Sequence, residues 1–328
     1  MLRNWHMVKV STAPMRRCGV AVVVPCYNAA NTLARALDSV LAQTYTNVRL
    51  YVVDDGSTDG TPSILQRYSR YGFCVRQAHL GQATARNCAL SISRERYIAF
   101  LDADDYWLPA KLELQIALLE QNPGVGLVCS DCETVEGREY VGSYFANSGV
   151  PRTGKVFERL TRECFVFTPT VVVRRECLDQ VGLFNESLAV SEDFELWLRI
   201  AAQWDIAVVP EVLAVREIRP EGLSVSTRPE IYLEHGIAAL ENVKAVCRGL
   251  SRNEAHALQN AIAERTYIYG SHLLASGRRR ESRTKLISVL QRRPADWRAW
   301  IKYGLTFLPS GLSGRLIERR QRFVCQGN

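Results

Sequence analysis

Histidine is scarce in this chain: His6, His79, His235, His256 and His272 are all there are in 328 residues, and none falls at a metal-ligand spacing. The ten cysteines are scattered and supply a single Cys-x-x-Cys, Cys129-Ser-Asp-Cys132, with no second pair and no neighbouring histidine. This argues against a zinc site or a redox role for the pair. The pair ends the apolar run Val125–Val128 and reads as the end of a strand. No apolar run reaches the roughly 18–20 residues that cross a bilayer. No secretory leader is evident, so reduced thiols and a cytoplasmic location are expected. No glycine-rich loop bearing Lys or Arg follows the run Val20–Pro25, which argues against a nucleotidyltransferase that cradles a triphosphate.

What remains, 47% hydrophobic and 23% charged residues, is the composition of a globular enzyme. The net charge of +7 is unevenly placed. Basic residues crowd the C-terminal end, among them Arg278, Arg279, Arg280, Arg283, Arg292, Arg293, Arg315, Arg319, Arg320 and Arg322. Such a face reads either as a solvated helical surface or as a contact for anionic lipid; no nucleic-acid partner is expected.

From Gly19 onward strand and helix patterns alternate. Val20–Pro25, Val48–Val53, Phe73–Arg76, Tyr97–Leu101 and Val125–Cys129 read as strands. Between them, Leu33, Ala36, Leu37, Val40 and Leu41 form one helical stripe capped by Asn31 or Thr32. Thr61-Pro62 marks a helix start with a capping hydroxyl, and Gln82–Ser91 and Lys111–Glu120 complete the series. The rhythm predicts an α/β fold with a doubly wound, mostly parallel sheet that binds ligands at the carboxyl ends of its strands. Residues 138–168 lack periodicity and are expected to loop over the site. Ile206–Val209 and Leu213–Val215 read as two further strands, and helices are expected over 231–246, 254–275, 282–291 and 297–307. The boundaries expected are a flexible tail over 1–17, an α/β domain over 18–225 and a helical region over 226–328.

Five segments carry the chemistry. In Tyr97-Ile-Ala-Phe-Leu-Asp-Ala-Asp-Asp-Tyr-Trp107 a buried strand ends in Asp102, Asp104 and Asp105. An extended chain would turn Asp102 and Asp104 to the same side, where they repel unless a hard cation, Mg²⁺ or Mn²⁺, lies between them. The alternative is an acidic turn that caps the next helix. Asp54-Asp55-Gly56-Ser57 follows the second strand and offers acceptors for a base or ribose, or makes an ordinary Asp-Gly turn. Pro25-Cys-Tyr27-Asn28 places a tyrosine where it stacks on a base or merely packs. Gly81–Asn87 carries Arg86 into a helix, for a phosphate or for solvent. Glu192-Asp193 at a helix start reads as capping carboxylates or as a general base.

Taken in order, these motifs resemble the family 2 glycosyltransferases with the GT-A fold, over roughly residues 18–225. The resemblance implies an inverting enzyme that moves a sugar from a nucleoside diphosphate donor, UDP-linked, to an acceptor hydroxyl in cell-surface polysaccharide, glycolipid or glycoconjugate synthesis. It implies that Pro25, Tyr27, Asn28, Asp54, Asp55, Arg86, Asp102 and Ala103 meet the nucleotide sugar. It also implies that Asp104 and Asp102 hold Mg²⁺ or Mn²⁺ on the diphosphate, and that Asp193, with Glu192 as alternate, is the base. The acceptor is then a glycan or a lipid-linked sugar, with peripheral contact at the inner face of the membrane through the basic C-terminal region. Relatives carry Tyr-Arg-x-His after the last strand; here Val215-Arg216-Glu-Ile-Arg219 lacks the histidine, leaving Arg216 and Arg219 as phosphate contacts. His79 replaces a usual asparagine and is expected only to adjust a loop. A non-catalytic nucleotide-sugar-binding or partner-recruiting module, and a nucleotidyltransferase, are the rival readings.

Overall fold

The computed structural model describes residues 6–8, 19–137, 139–218 and 229–308, without the side chains of 6–8 and 147. The chain divides into two compact units, Met1–Ser224 and Val225–Asn328.

Among the described residues the first unit is built on ten strands: β1 His6–Val8, β2 Val20–Cys26, β3 Val48–Asp54, β4 Gly72–Arg76, β5 Tyr97–Phe100, β6 Tyr106–Trp107, β7 Val125–Glu136, β8 Glu139–Ser143, β9 Val172–Arg174 and β10 Asp205–Ile218. They form one mixed sheet in the order β1-β4-β3-β2-β5-β9-β7-β10-β6, with β8 hanging on β7. The β4, β3, β2, β5 block is parallel throughout, as is the β7–β10 pair. Antiparallel β9 joins the two blocks. Its wholly buried strands explain the unbroken apolar runs, since a sheet covered on both faces has no polar side to alternate with. Register aligns Cys26 with Asp54 and Asp54 with Arg76, so three carboxyl ends share one edge.

Among the described residues eight α-helices accompany the sheet: α1 Leu33–Leu41, α2 Thr61–Tyr68, α3 Gln82–Ile92, α4 Lys111–Gln121, α5 Tyr144–Ser148, α6 Phe157–Arg162, α7 Arg175–Val181 and α8 Glu192–Ala201. The α1 stripe is buried at Leu33, Ala36, Leu37 and Val40, while Leu41 faces solvent. Two caps differ from expectation. Thr32 is the N-cap of α1 but its side chain accepts no capping bond. The Thr61 hydroxyl instead accepts from the amide of Ala29 at 2.9 Å, tying α2 to the β2 exit loop. Residues 138–168 are not a plain loop: β8, α5 and α6 lie there, each too short to show a period. The two strands expected over 206–215 are one bulged strand, β10, since the shifts at Val209 to Ala214 break the alternation without ending the pairing to β7.

The second unit is helical: α9 Pro229–Val246, α10 Arg252–Ala275, α11 Arg279–Arg292 and α12 Trp297–Leu305. A capping box at Ser251 and Glu254 starts α10 two residues before the apolar pattern does. Gly270 lets α11 approach closely, since a Cβ there would lie 3.1 Å from Leu286 Cγ, and Ser282 Oγ donates to the Gly270 carbonyl at 2.7 Å. Leu286, Val289, Leu290 and Ala299 make a small core with Tyr267 and Tyr303.

Lys111 is fully buried at the start of α4; its Nζ donates to Gln115 Oε1 at 2.7 Å and lies 4.3 Å from the Trp107 ring centre. Burial holds its ammonium well below the ordinary lysine range. The folded value is thus below the unfolded one. As pH falls below the unfolded value, the unfolded chain takes up a proton that the folded chain resists, and stability is lost. Urea unfolding of wild type and Lys111→Met between pH 7 and 10 is expected to move in favour of wild type as pH rises. A pH-independent difference contradicts a desolvated lysine.

Candidate active site

The carboxyl ends of β2, β3 and β4 build a shelf. Tyr27, 46% exposed, stacks on His79 with ring centres 4.0 Å apart and planes at 26°. Pro25 is buried in β2. Asn28 takes a left-handed φ of 48°, held by its Oδ1 accepting from Thr58 N at 2.8 Å and its amide donating to Ser57 Oγ at 2.9 Å. Asp54 and Asp55 are both buried. Asp54 Oδ1 accepts from Ser57 N at 2.9 Å; its Oδ2 makes no hydrogen bond and has Arg76 Nε at 3.5 Å. Asp55 accepts from Leu80 N and Gly81 N, each at 2.9 Å, from Gln77 Nε2 at 2.6 Å, and lies 3.0 Å from His79 Nδ1. Asp55 therefore folds the 77–81 segment. His79 is a wall of the shelf, not merely a loop adjustment, and only the register of β3 and β4 brings it to Tyr27.

The acidic segment after β5 is a turn, so the expected extended alternation of Asp102 and Asp104 is not what places them: Asp105 N donates to the Asp102 carbonyl at 3.1 Å. Ala103 is buried and Asp102 and Asp104 are partly exposed. Asp105 is buried, its Oδ1 accepting from Glu217 N at 2.9 Å. Burial, then Asp104 and Asp102, push its carboxyl well above the ordinary range. Three carboxylates in four residues repel one another and favour a cation among them. Arg35 answers part of this from α1, donating to the Asp104 carbonyl at 2.8 Å and pairing with Glu217.

Arg86 joins this turn to the second acidic motif. Its guanidinium, 1% exposed, donates to Asp102 Oδ1 at 2.7 Å and to Glu192 Oε1 at 2.6 Å. Burial opposes its charge, but Asp102, Glu192 and Asp193 outweigh that and keep it protonated. The Glu192 carboxyl is pushed up to about 7: burial outweighs the attraction of Arg86, which is shared between two carboxylates, and Asp193 adds to the rise. Gln82 Nε2 also donates to Asp102 Oδ1, at 2.9 Å.

Asp193 differs from its neighbour. It is half-buried in the first turn of α8, and Ser191, the preceding N-cap, is left-handed with a φ of 64°. Asp193 Oδ2 accepts from Thr168 Oγ1 at 2.8 Å and Oδ1 from Phe194 N at 2.7 Å. Arg216 places its guanidinium over the Phe167 ring, 4.6 Å from the centre. Arg219 lies outside the described residues. Thr168 and Arg35 carried no signal in the motifs; Asp105 was legible only as the end of the acidic segment and His79 only as a loop adjustment.

Among the described residues no group of three or more His, Cys, Asp or Glu is disposed to hold a metal ion alone. The aspartates of the turn suit a hard ion held by one or two carboxylates and completed by phosphate oxygens.

Residues 21–182 match the family model for glycosyl transferase family 2. Over 192 residues, 58% of this chain and 72% of the relative, the chain is 33% identical to UDP-Glc:alpha-D-GlcNAc-diphosphoundecaprenol beta-1,3-glucosyltransferase WfgD of Escherichia coli. It is 41% identical over 191 residues, 55% of this chain and 71% of the relative, to the putative teichuronic acid biosynthesis glycosyltransferase TuaG of Bacillus subtilis. The fold is shared with S. aureus TarS 1-349 in complex with UDP-GlcNAc, with a TM-score of 0.65, 20% identity and coverage of 88% of this chain and 90% of that one. It is shared too with the mannosyltransferase PcManGT from Pyrobaculum calidifontis in complex with GDP-Man and Mn²⁺, with a TM-score of 0.61, 21% identity and coverage of 88% and 79%.

Removing one partner from a buried ion pair leaves the other charge uncompensated. Arg86→Gln is expected to lower unfolding free energy by about 3–5 kcal/mol, measured by urea denaturation. A loss below about 1 kcal/mol, the range of exposed pairs, would show that the bridge is not desolvated.

Proposed function

The chain belongs to glycosyl transferase family 2, and on that premise we propose that it is an inverting, metal-dependent enzyme that moves a sugar from a UDP-linked donor to an acceptor hydroxyl in the synthesis of cell-surface polysaccharide, glycolipid or glycoconjugate. The bridge through Arg86 carries this reading. One buried guanidinium holds a carboxylate of the donor-side turn and a carboxylate beside the candidate base, which sets two half-sites at a constant separation. The E. coli relative, a UDP-Glc:alpha-D-GlcNAc-diphosphoundecaprenol glucosyltransferase, supports a UDP-sugar donor and a lipid-diphosphate-linked acceptor, and the TarS complex supports a uridine nucleotide on this fold.

In this reading Tyr27 and His79 face the base, with Asn28, Asp54 and Asp55 shaping the pocket for base and ribose. Asp104, with Asp102, holds Mg²⁺ or Mn²⁺, and Ala103 lies at the sugar diphosphate. An ion held by these aspartates would supply Lewis-acid neutralisation of the charge on the leaving diphosphate. Arg216 and Arg219 add cationic contacts to phosphate. Asp193 takes the proton of the acceptor hydroxyl as it attacks the face opposite the leaving group. Glu192, the alternate, is already committed to Arg86, whereas Asp193, among the described residues, is held by hydrogen bonds from Thr168 and Phe194 and makes no ion pair.

Labelled UDP-glucose and UDP-N-acetylglucosamine, incubated with Mn²⁺, test the proposal. Wild type is expected to hydrolyse one of them slowly, the sugar passing to water in place of the acceptor hydroxyl as UDP leaves, and to lose that activity in EDTA. Asp104→Asn is expected to weaken donor binding and abolish turnover. Asp193→Asn is expected to keep UDP binding while turnover falls by roughly 10²–10⁴-fold. Turnover unaffected by EDTA would remove the metal, and near-normal turnover of Asp193→Asn with loss in Glu192→Gln would exchange the two carboxylates.

No helix of the described residues is long and apolar enough to cross a membrane. Residues 225–328 hold 18 of the 41 Lys and Arg but 8 of the 34 Asp and Glu. Trp297, Trp300, Ile301 and Phe307 are exposed there, aromatic and aliphatic groups suited to a bilayer interface. We propose a cytoplasmic enzyme that meets the inner membrane face through this region. Arg315, Arg319, Arg320 and Arg322 lie outside the described residues. Each basic residue near an anionic surface contributes about 1 kcal/mol, so changing these four to Ser is expected to weaken co-sedimentation with phosphatidylglycerol vesicles at low salt. Absence of wild-type binding under those conditions would refute the contact.

A further inference from the structure

Thr168 begins the short turn Thr168–Thr170 that leads into β9 and is 4% exposed. A hydroxyl has one proton to donate, and this one goes to Asp193 Oδ2 at 2.8 Å. With Phe194 N on Oδ1, each carboxylate oxygen is held by one donor and keeps acceptor capacity for an incoming hydroxyl. The last torsion of an aspartate is otherwise broad, so these two bonds define the plane of the carboxylate.

The turn is itself braced. Trp107 Nε1 donates to the Pro169 carbonyl at 2.8 Å, and Gln115 Nε2 to the Thr170 carbonyl at 2.7 Å. Thr170 Oγ1 closes it by donating to the Phe167 carbonyl at 2.7 Å. Gln115 is oriented by buried Lys111. Trp107 stands three residues after Asp104 and pairs with Ala214 of β10, so the brace starts in the loop that bears the donor-side aspartates.

We infer that Thr168 is a positioning residue for Asp193, and that the Trp107–Pro169 hydrogen bond couples the position of Asp193 to the loop carrying Asp102 and Asp104. The inference rests on the glycosyl-transfer reading of the site. Thr168 touches no reacting atom; it sets the orientation of the group that does. Misplacement of a reacting group by about 1 Å costs up to roughly 10²-fold in rate, while nucleotide binding at the Tyr27 end does not involve this turn.

The test uses the full chain with UDP-glucose and UDP-N-acetylglucosamine in Mn²⁺, following UDP release, and calorimetric titration of UDP. Thr168→Val, which keeps the shape and deletes the donor, is expected to lower kcat roughly 10- to 100-fold with the Kd for UDP unchanged within about 2-fold. Thr168→Ser is expected to restore most of the rate. Trp107→Phe, which removes the indole N–H together with part of a buried ring, is expected to lower kcat in the same direction with UDP binding retained. In a Thr168→Val, Asp193→Asn double variant the losses are expected not to multiply, because both act through one carboxylate. Wild-type kcat in Thr168→Val, a Thr168→Ser enzyme as slow as Thr168→Val, or multiplying losses overturns the inference. Should Thr168→Val not fold, Thr168→Ala that retains UDP binding is read in its place, and wild-type kcat there also overturns it. If the wild type releases UDP and Thr168→Val does so equally fast, this inference fails alone; if the wild type binds no UDP and releases none, the glycosyl-transfer reading fails and takes it along.

Discussion

A guanidinium with almost no exposed surface has to be matched by charge, or the fold bears several kcal/mol of desolvation. Arg86 is matched twice, by Asp102 from the turn after β5 and by Glu192 from the start of α8. Those carboxylates come from places 90 residues apart in the chain. Two otherwise independent loops are thereby held to one rigid helix, α3. Because Arg86 itself enters from the N-terminal half of α3, whose start is organised by Asp55 bonding to Leu80 N and Gly81 N, the shelf at the ends of β2, β3 and β4 belongs to the same construction.

The electrostatic balance of the site follows from that bridge. One internal cation serves Asp102 and Glu192, with Asp193 alongside, and Asp104 and Asp102 together with burial raise the Asp105 carboxyl. Carboxylates at such density favour a cation among them, and in the proposed reading a divalent ion arriving with a diphosphate would meet both the charge and the oxygen preference of the turn. The bridge also divides labour between adjacent acids. Glu192 is desolvated and pinned, while Asp193, one residue on, points to Thr168 and keeps access to solvent.

The two units differ in charge as well as in secondary structure. Residues 1–224 carry a net charge of −3 and residues 225–328 one of +10. Sequence similarity to the named relatives covers little more than half of the chain, and the family model ends at residue 182. The helical unit, like residues 183–224 of the first unit, lies beyond what the family model describes, and its small Leu286–Ala299 core shows that it packs through its own apolar positions.

Much of this was legible in the primary structure. Buried parallel strands announce themselves as apolar runs, helices as stripes, and a turn of aspartates after a strand as an acidic edge, because burial and periodicity act on residues close together in the chain. Hence β2, β3 and β5, the helices α3, α4 and α8, the GT-A fold and the family were readable from local pattern and motif order. The short elements β8, α5 and α6 were not, since five or six residues do not display a period. Nor were the bulges that make β10 continuous, because a bulge breaks the alternation while pairing to β7 persists. What the fold alone decided is which charged groups meet. Arg86 read equally as a surface residue, His79 as a loop adjustment and Thr168 as nothing in particular. Their partners lie 16 and 106 residues away for Arg86, 24 and 52 for His79, and 25 for Thr168. A hydrogen bond or ion pair needs an approach of about 3 Å, and at such sequence separations only the packed sheet and its helices can specify that distance.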